Sequence, residues 1–198
     1  MDRPALLIVD MQYDFLPGGS LPVPGGDDII DTLNRYIDIF DKNRSPILAT
    51  RDWHPWQTTH FQAQGGVWPV HCVQDTHGAQ FHADLRLPSS TIVISKGMGA
   101  TEDAYSGFQG TDQSGRPLAK VLRDLGVTHL YVGGVATDYC TVSTTLAGLT
   151  EGFEVTVLLD TIRGINLKPG DIENAIADMI RNGAEVTTIE RLEPALTS

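Results

Sequence analysis

Apolar positions along this chain follow two rhythms. The first is a set of short continuous runs: Ala5-Leu-Leu-Ile-Val9, Pro46-Ile-Leu-Ala-Thr50, Thr91-Ile-Val-Ile-Ser95, His129-Leu-Tyr-Val-Gly-Gly-Val135, Val155-Thr-Val-Leu-Leu159 and Val186-Thr-Thr-Ile189. Runs of this length, rich in β-branched residues, predict strands buried on both faces. The second rhythm is helical. A helix starting at Asp27 carries Ile30, Leu33, Ile37 and Phe40 on one face, and residues 117–125 form another that Gly126 stops. Residues 139–151 predict a third, and residues 171–182 a fourth, with Ile172, Ile176, Met179 and Ile180 inward and Gly183 closing it. Strands alternating with helices mean βαβ units. The expected fold is therefore α/β, a three-layer α/β/α arrangement around a six-stranded parallel sheet, as one domain over residues 1–198. Turn-rich loops run from Phe15 to Gly26 and from Gly97 to Gly115, and residues 51–86 show no convincing periodicity and are rich in His, Trp, Gln and Gly. An aperiodic stretch of that length in a compact domain usually carries function.

In parallel sheets, ligands bind beyond the carboxyl ends of the strands. Asp10, Asp52, Lys96 and Cys140 each lie at or just past such an end, on four different predicted strands. Polar residues that merely terminate strands explain one or two of these, but poorly a thiol, a lysine and two acids together. Cys140 follows Gly133-Gly134 and a plausible helix N-cap, Asp138, so it falls in the first turn of a helix. Free N–H groups and the helix dipole favour a thiolate there. Asp10 suits a general base and acid, and Lys96 would lower the thiol pKa and hold the carboxylate. Backbone N–H groups around Ala136 and Cys140 could stabilise an oxyanion. Taken singly, each has a plain reading: a small core Cys, a loop-capping Asp, a solvated Lys.

A second constellation is Asp52-x-His54-x5-His60-x10-His71. Five of the six histidines fall between His54 and His82. Imidazole and carboxylate donors suit zinc, iron or manganese. Asp52 and His54, two apart, project together from an extended backbone. Histidines on a polar surface loop are the plain alternative. His77 and His82 are spare candidates, whereas Cys72 reads as a buried structural residue. Phe15, Trp53, Trp56 and Trp68 lie close to these groups in sequence, and aromatic walls would suit a flat ring substrate.

Composition narrows the classes. With 198 residues and 41% hydrophobic content, a full core is available without staples. A net charge of −11 argues against nucleic-acid or anionic-membrane partners. Two cysteines are too few for a disulfide scaffold, which points to a reducing cytoplasm. The first apolar run is too short for a signal-peptide core, and no run approaches a membrane span.

The chain resembles the nicotinamidases (pyrazinamidases) of the isochorismatase-like cysteine hydrolase superfamily. The motifs are Leu7-Ile-Val-Asp-Met-Gln-Tyr-Asp-Phe15 with its downstream Pro-Gly-Gly, Asp52-x-His54, Trp68-Pro-Val-His-Cys72, Lys96-Gly97, Tyr105-Ser-Gly-Phe108 and Gly133-Gly-Val-Ala-Thr-Asp-Tyr-Cys140. Together they span essentially the whole chain. The resemblance implies a catalytic triad of Asp10, Lys96 and Cys140. It makes Asp52, His54, His60 and His71 ligands of one divalent ion, zinc foremost, with iron or manganese as the other choices. Phe15 and Trp68 would flank the ring of the substrate, with Val135 and Tyr105 also contacting it. A cis peptide bond from Val135 to Ala136 would orient the oxyanion-binding N–H groups. The implied reaction is hydrolysis of nicotinamide, and of pyrazinamide, to the acid and ammonia through a Cys thioester, serving NAD salvage in the cytoplasm. Nucleic acid and membrane are not expected as partners, and a homo-oligomer is compatible. The segment Met98-Gly-Ala-Thr-Glu-Asp-Ala104 departs from the family pattern. An alternative within the superfamily is an amidohydrolase for carbamoyl or ureido substrates, with the same triad and no metal cluster. Isochorismatase itself lacks the Cys nucleophile. A non-enzymatic zinc- or redox-sensing protein is a further alternative, although the spacing of thiols and histidines fits no familiar structural zinc pattern.

Overall fold

The computed structural model describes residues 3–102 and 104–196. β1 (Pro4–Val9) lies inside a six-stranded sheet, and Ala5 through Val9 have no solvent exposure. β2 (Ile47–Asp52) and β3 (Ile92–Lys96) extend the sheet on one side of it. β4 (His129–Val135), β5 (Glu154–Arg163) and β6 (Glu185–Thr187) extend the other. The order is β3-β2-β1-β4-β5-β6, and every pairing is parallel.

Successive β1 side chains feed opposite cores. Leu6 and Ile8 join α1 (Ile30–Lys42), whose Leu33, Ile37 and Phe40 pack beneath them, together with Ile189 and Leu192 of α5 (Ile189–Leu196). Ala5, Leu7 and Val9 face Leu118, Val121 and Leu122 of α2 (Leu118–Asp124), on the side that also carries Cys140. On that same side, α3 (Val142–Thr150) packs beside α4 (Asp171–Arg181). Each such Leu, Ile or Val contributes about 1.5–3 kcal/mol of burial, so the sheet is fixed from both faces. This is the three-layer arrangement expected.

Several boundaries differ from the pattern-based reading. β2 runs two residues past Thr50, because β3 supplies partners as far as the pair Asp52↔Lys96. β5 continues through Asp160 to Arg163: the ladder with β4 shifts register between Val132 and Gly134, then resumes at Gly134↔Ile162. Ile189 belongs to α5 rather than β6, so that helix escapes the pattern. α1 opens at Ile30, after a turn in which the Ile30 N–H reaches the Asp27 carbonyl. On α4 the buried positions are Ala175 and Met179, and Ile180 is 48% exposed, a rotation of about 100° from its neighbour.

The strand β4 ends in a backbone only glycine permits. Gly134 has φ +123°, and a Cβ there would sit 2.1 Å from the Val9 carbonyl oxygen. The peptide bond from Val135 to Ala136 is cis. The chain then makes a single π-helical turn, Thr137–Thr141, before α3 begins.

Candidate active site

Strand order reverses between β1 and β4, and the crevice beyond their carboxyl ends is where open α/β sheets bind ligands. Asp10 leaves β1 with φ +51° and is fully buried. Its Oδ1 accepts a 2.6 Å hydrogen bond from the Thr50 hydroxyl, and its Oδ2 lies 2.9 Å from Lys96 Nζ. Lys96, at the end of β3, is 1% exposed. Its ammonium also donates to Asp52 Oδ1 in a close contact, to the Ala104 carbonyl at 3.3 Å, and to Cys140 Sγ at 3.6 Å. Four strand ends thus converge on one buried cation, which the register pair Asp52↔Lys96 prepares.

Charge balance follows from this packing. Burial alone would strip the Lys96 proton, but Asp10, Asp52 and Cys140 hold its pKa well above the ordinary value. Burial pushes Asp52 up, yet Lys96 and the contacts of His54 and His71 outweigh it and keep the carboxyl well below its usual range. Burial raises Asp10, opposed by Lys96 and Thr50 and reinforced by Asp52, with a net upward shift. Lys96 lowers the pKa of the Cys140 thiol, as expected, but burial raises it by more, so the net shift is well above the ordinary thiol value. Thiol and carboxyl are thus shifted in the same direction by the same burial, with Lys96 opposing both. Asp138 corrects an expectation. It makes no side-chain cap at this turn, since its carboxylate accepts the backbone N–H groups of Ile165 (2.9 Å) and Asn166 (2.7 Å).

Beside this cation, His54, His60 and His71 are buried with donor atoms all within 4.8 Å of one another. Asp52 Oδ2 faces them, 3.5 Å from His54 Nε2 and 3.8 Å from His71 Nε2. The other ring nitrogens are occupied: His54 Nδ1 meets the Gly97 carbonyl at 3.0 Å and His71 Nδ1 the Pro69 carbonyl at 2.7 Å. Such carbonyl contacts fix the tautomer that leaves Nε2 as a ligand. The buried His54 Nε2 makes no hydrogen bond. Three imidazoles and a carboxylate, with an orphaned inward nitrogen, fit a divalent ion of the zinc type. Gly97, at φ +64°, leaves room for this, because a Cβ there would lie 2.5 Å from the His54 ring. His77 and His82 are elsewhere, packed on the Tyr13 ring at 4.1 and 4.8 Å. Cys72 is buried and outside the cluster, with its N–H donated to Asp14.

A cavity opens onto both groups. Phe15, Trp68, Tyr105, Val135, Ala136 and Cys140 line it. Trp68 Nε1 donates to the Tyr105 hydroxyl at 2.8 Å, locking the two walls together. Trp53 lies instead under the Arg51 guanidinium, 3.6 Å from its ring centre, and Trp56 is 68% exposed. Leu21, Ala104, Tyr139 and Ile165 also line the cavity, and the sequence reading misses all four. Tyr139 adjoins Cys140 in sequence, a signal that could have found it. Leu21 and Ile165 sit in loops whose course no local pattern betrays.

Residues 4–191 match the Isochorismatase domain. A nicotinamidase of Escherichia coli (strain K12) is 38% identical over 201 residues, covering 93% of this chain and 94% of its own. Among solved structures, a pyrazinamidase of Pyrococcus horikoshii in complex with zinc is 46% identical with a TM-score of 0.87, over 94% of this chain and 99% of that one. PnC1 from L. infantum in complex with nicotinate is 35% identical with a TM-score of 0.85, over 94% of this chain and 93% of that one. Sequence motifs, strand order and this near-complete coverage agree: the chain belongs to the Isochorismatase domain family.

Proposed function

We propose that this protein hydrolyses nicotinamide to nicotinate and ammonia through a thioester on Cys140. The observation that carries the reading is Lys96 Nζ, held between Asp10, Asp52 and Cys140 directly beside the three-histidine cluster. A triad alone would suit many amides; a triad sharing Asp52 with a metal-type cluster, in a cavity walled by Phe15 and Trp68, suits an aromatic amide with a ring nitrogen.

In this reading Asp10 takes the Cys140 proton as Sγ attacks the carboxamide carbon and the C–S bond forms. Lys96 stays charged and keeps Asp10 oriented. The N–H groups of Ala136 and Cys140 receive the oxyanion. Asp10 returns its proton to the amide nitrogen, the C–N bond breaks, and ammonia leaves. Water, giving a proton to Asp10, then attacks the thioester carbon; the C–S bond breaks, Asp10 returns the proton to Sγ, and the acid leaves and ionises to nicotinate. His54, His60, His71 and Asp52 would hold one divalent ion, zinc foremost, and such an ion supplies a Lewis-acid anchor for the ring nitrogen. Phe15 and Trp68 pack against the ring, and Val135 and Tyr105 complete its surround. We infer a role in NAD salvage in the cytoplasm, supported by two free cysteines. Among the described residues, no helix is long and apolar enough to cross a membrane.

Ammonia release from an amide panel, with and without chelator, tests the reading. Nicotinamide and pyrazinamide should turn over, lose activity on chelation and regain it with zinc. Turnover confined to carbamoyl or ureido substrates and indifferent to chelator would replace it with the other amidohydrolase reading.

A further inference from the structure

β2 outlasts β1. The last β1–β2 pair is Val9↔Thr50, yet β2 continues to Asp52, paired on its far side with Lys96 of β3. On the near side, the backbone of Asp52 has no strand to meet. The side chain of Gln12 fills that place. It is fully buried, its Oε1 accepts the Asp52 N–H at 2.8 Å, and its Nε2 donates to the Asp52 carbonyl at 2.8 Å. A side-chain amide here imitates the peptide of a neighbouring strand, satisfying both backbone groups of one residue. The second Nε2 hydrogen goes to the Ala79 carbonyl at 2.9 Å, which ties the same point to the loop beyond His71.

Asp52 is the joint of the site: Oδ1 meets Lys96 and Oδ2 faces His54 and His71. We infer that Gln12 is a positioning residue that sets the Asp52 carboxylate between the Lys96 cation and the histidine cluster. The inference rests on the metal reading above. Buried amides with all these bonds made resist displacement, because any shift strands a carbonyl or an N–H away from water. Partners of this kind behind a ligand typically govern metal affinity about 10–100-fold.

The test compares zinc affinity, by competition with a chromophoric chelator, and the visible spectrum of the cobalt(II) form. Gln12→Leu removes all three bonds, and Gln12→Glu keeps only the acceptor for the Asp52 N–H. Both should weaken zinc binding about 10–100-fold and alter the cobalt bands. Leu122→Ala, a buried α2 residue packed in the core cluster of Leu7 and Val9, should lose stability while keeping wild-type zinc affinity and spectrum. Wild-type affinity and spectrum in Gln12→Leu would overturn the inference, and the same result in Gln12→Glu would overturn it if the leucine variant does not fold. So would equal weakening in Leu122→Ala, since general loosening would then be the cause. A wild-type protein that takes up no zinc would overturn the metal reading itself, whereas wild-type binding with unchanged Gln12 variants would overturn this inference alone.

Discussion

The two halves of the site are held by different means. Asp10, Lys96 and Cys140 stand where strands end, and the sheet register sets their spacing: Val9 pairs with both Thr50 and Gly134, and Asp52 with Lys96. His60, His71 and Trp68 stand on a long loop with no regular element beyond one 3-10 turn, Gln62–Gln64. That loop is held by its own buried side chains, Phe61, Cys72, Ala79 and Leu85, and by polar contacts that include the Cys72 N–H to Asp14 at 2.7 Å, the Gln74 amide to the Trp53 carbonyl at 2.8 Å, and the Gln74 N–H to the His54 carbonyl at 2.8 Å. Sheet-borne groups are therefore set by ladder pairing, whereas loop-borne groups depend on side-chain packing and hydrogen bonds particular to that loop. Asp52 is the member that belongs to both halves.

The largest expected effect separates chemistry from architecture. Cys140→Ala should lower ammonia release from nicotinamide by about 10⁴-fold or more and leave zinc uptake untouched. Retained turnover would remove the sheet-borne half from the mechanism altogether. Next comes Lys96. Lys96→Ala leaves Asp10 and Asp52 as buried carboxylates without their cation, and should cost about 3–5 kcal/mol in denaturant unfolding. Stripping metal with chelator should abolish activity while moving the unfolding midpoint far less. If chelation destabilises as much as Lys96→Ala, the division between a sheet-held and a loop-held half fails.

The same division explains what is legible in the sequence. The strand runs are buried on both faces, so their apolar patterns are unambiguous, and the rule that ligands bind at strand carboxyl ends brings Asp10, Asp52, Lys96 and Cys140 together without any knowledge of distance. The histidines have no such rule. Their spacing is compatible with a surface loop, and only the family resemblance chooses His54, His60 and His71 over His77 and His82. Asp160 shows a limit of the strand patterns. It reads as a strand stop, but its carboxylate is consumed by the Tyr36 hydroxyl at 2.9 Å and the Ile189 N–H at 2.8 Å, so the strand passes through. Gln12 shows the limit of the site reading. One polar residue after a strand gives no sign that it will replace a missing strand. The pull of Lys96 on the thiol pKa is visible in sequence, while the depth of burial that raises it is not.

A pH profile sharpens the sheet-borne half. In the proposed mechanism the base form of Asp10 makes the first proton transfer, so activity should be present above its pKa and lost as pH falls through it. That pKa is raised by burial, and the Thr50 hydroxyl pulls it back down through a 2.6 Å bond to Oδ1. Thr50→Val removes the pull while keeping the shape of the side chain. The acid limb of kcat/KM should move to higher pH, with the zinc affinity unchanged. A limb that stays in place would assign it to another group.

The smallest effect is expected where the nucleophile turn meets a loop. Asp138 lies two residues before Cys140, yet its carboxylate serves the segment after β5, where Ile165 lines the cavity. Asn166 adopts φ +55°, and a Cβ on Gly164 would come within 2.8 Å of Asp138 Oδ1, so the clamp is close-fitting. Asp138→Asn keeps the volume but turns one acceptor into a donor facing an N–H. A hydrogen bond to a charged group contributes about 1.5–3 kcal/mol. Asn166 is exposed, so water can replace much of that loss. The remainder of the effect falls on the position of Ile165, and hence on how well the ring is enclosed. KM for nicotinamide should rise about 2–5-fold, equivalent to roughly 0.4–1 kcal/mol, with kcat and zinc affinity near wild type. Should kcat fall instead with KM constant, Asp138 would be acting on the Cys140 turn, and the wall at Ile165 would belong to the sheet-held half of the site rather than to its loops.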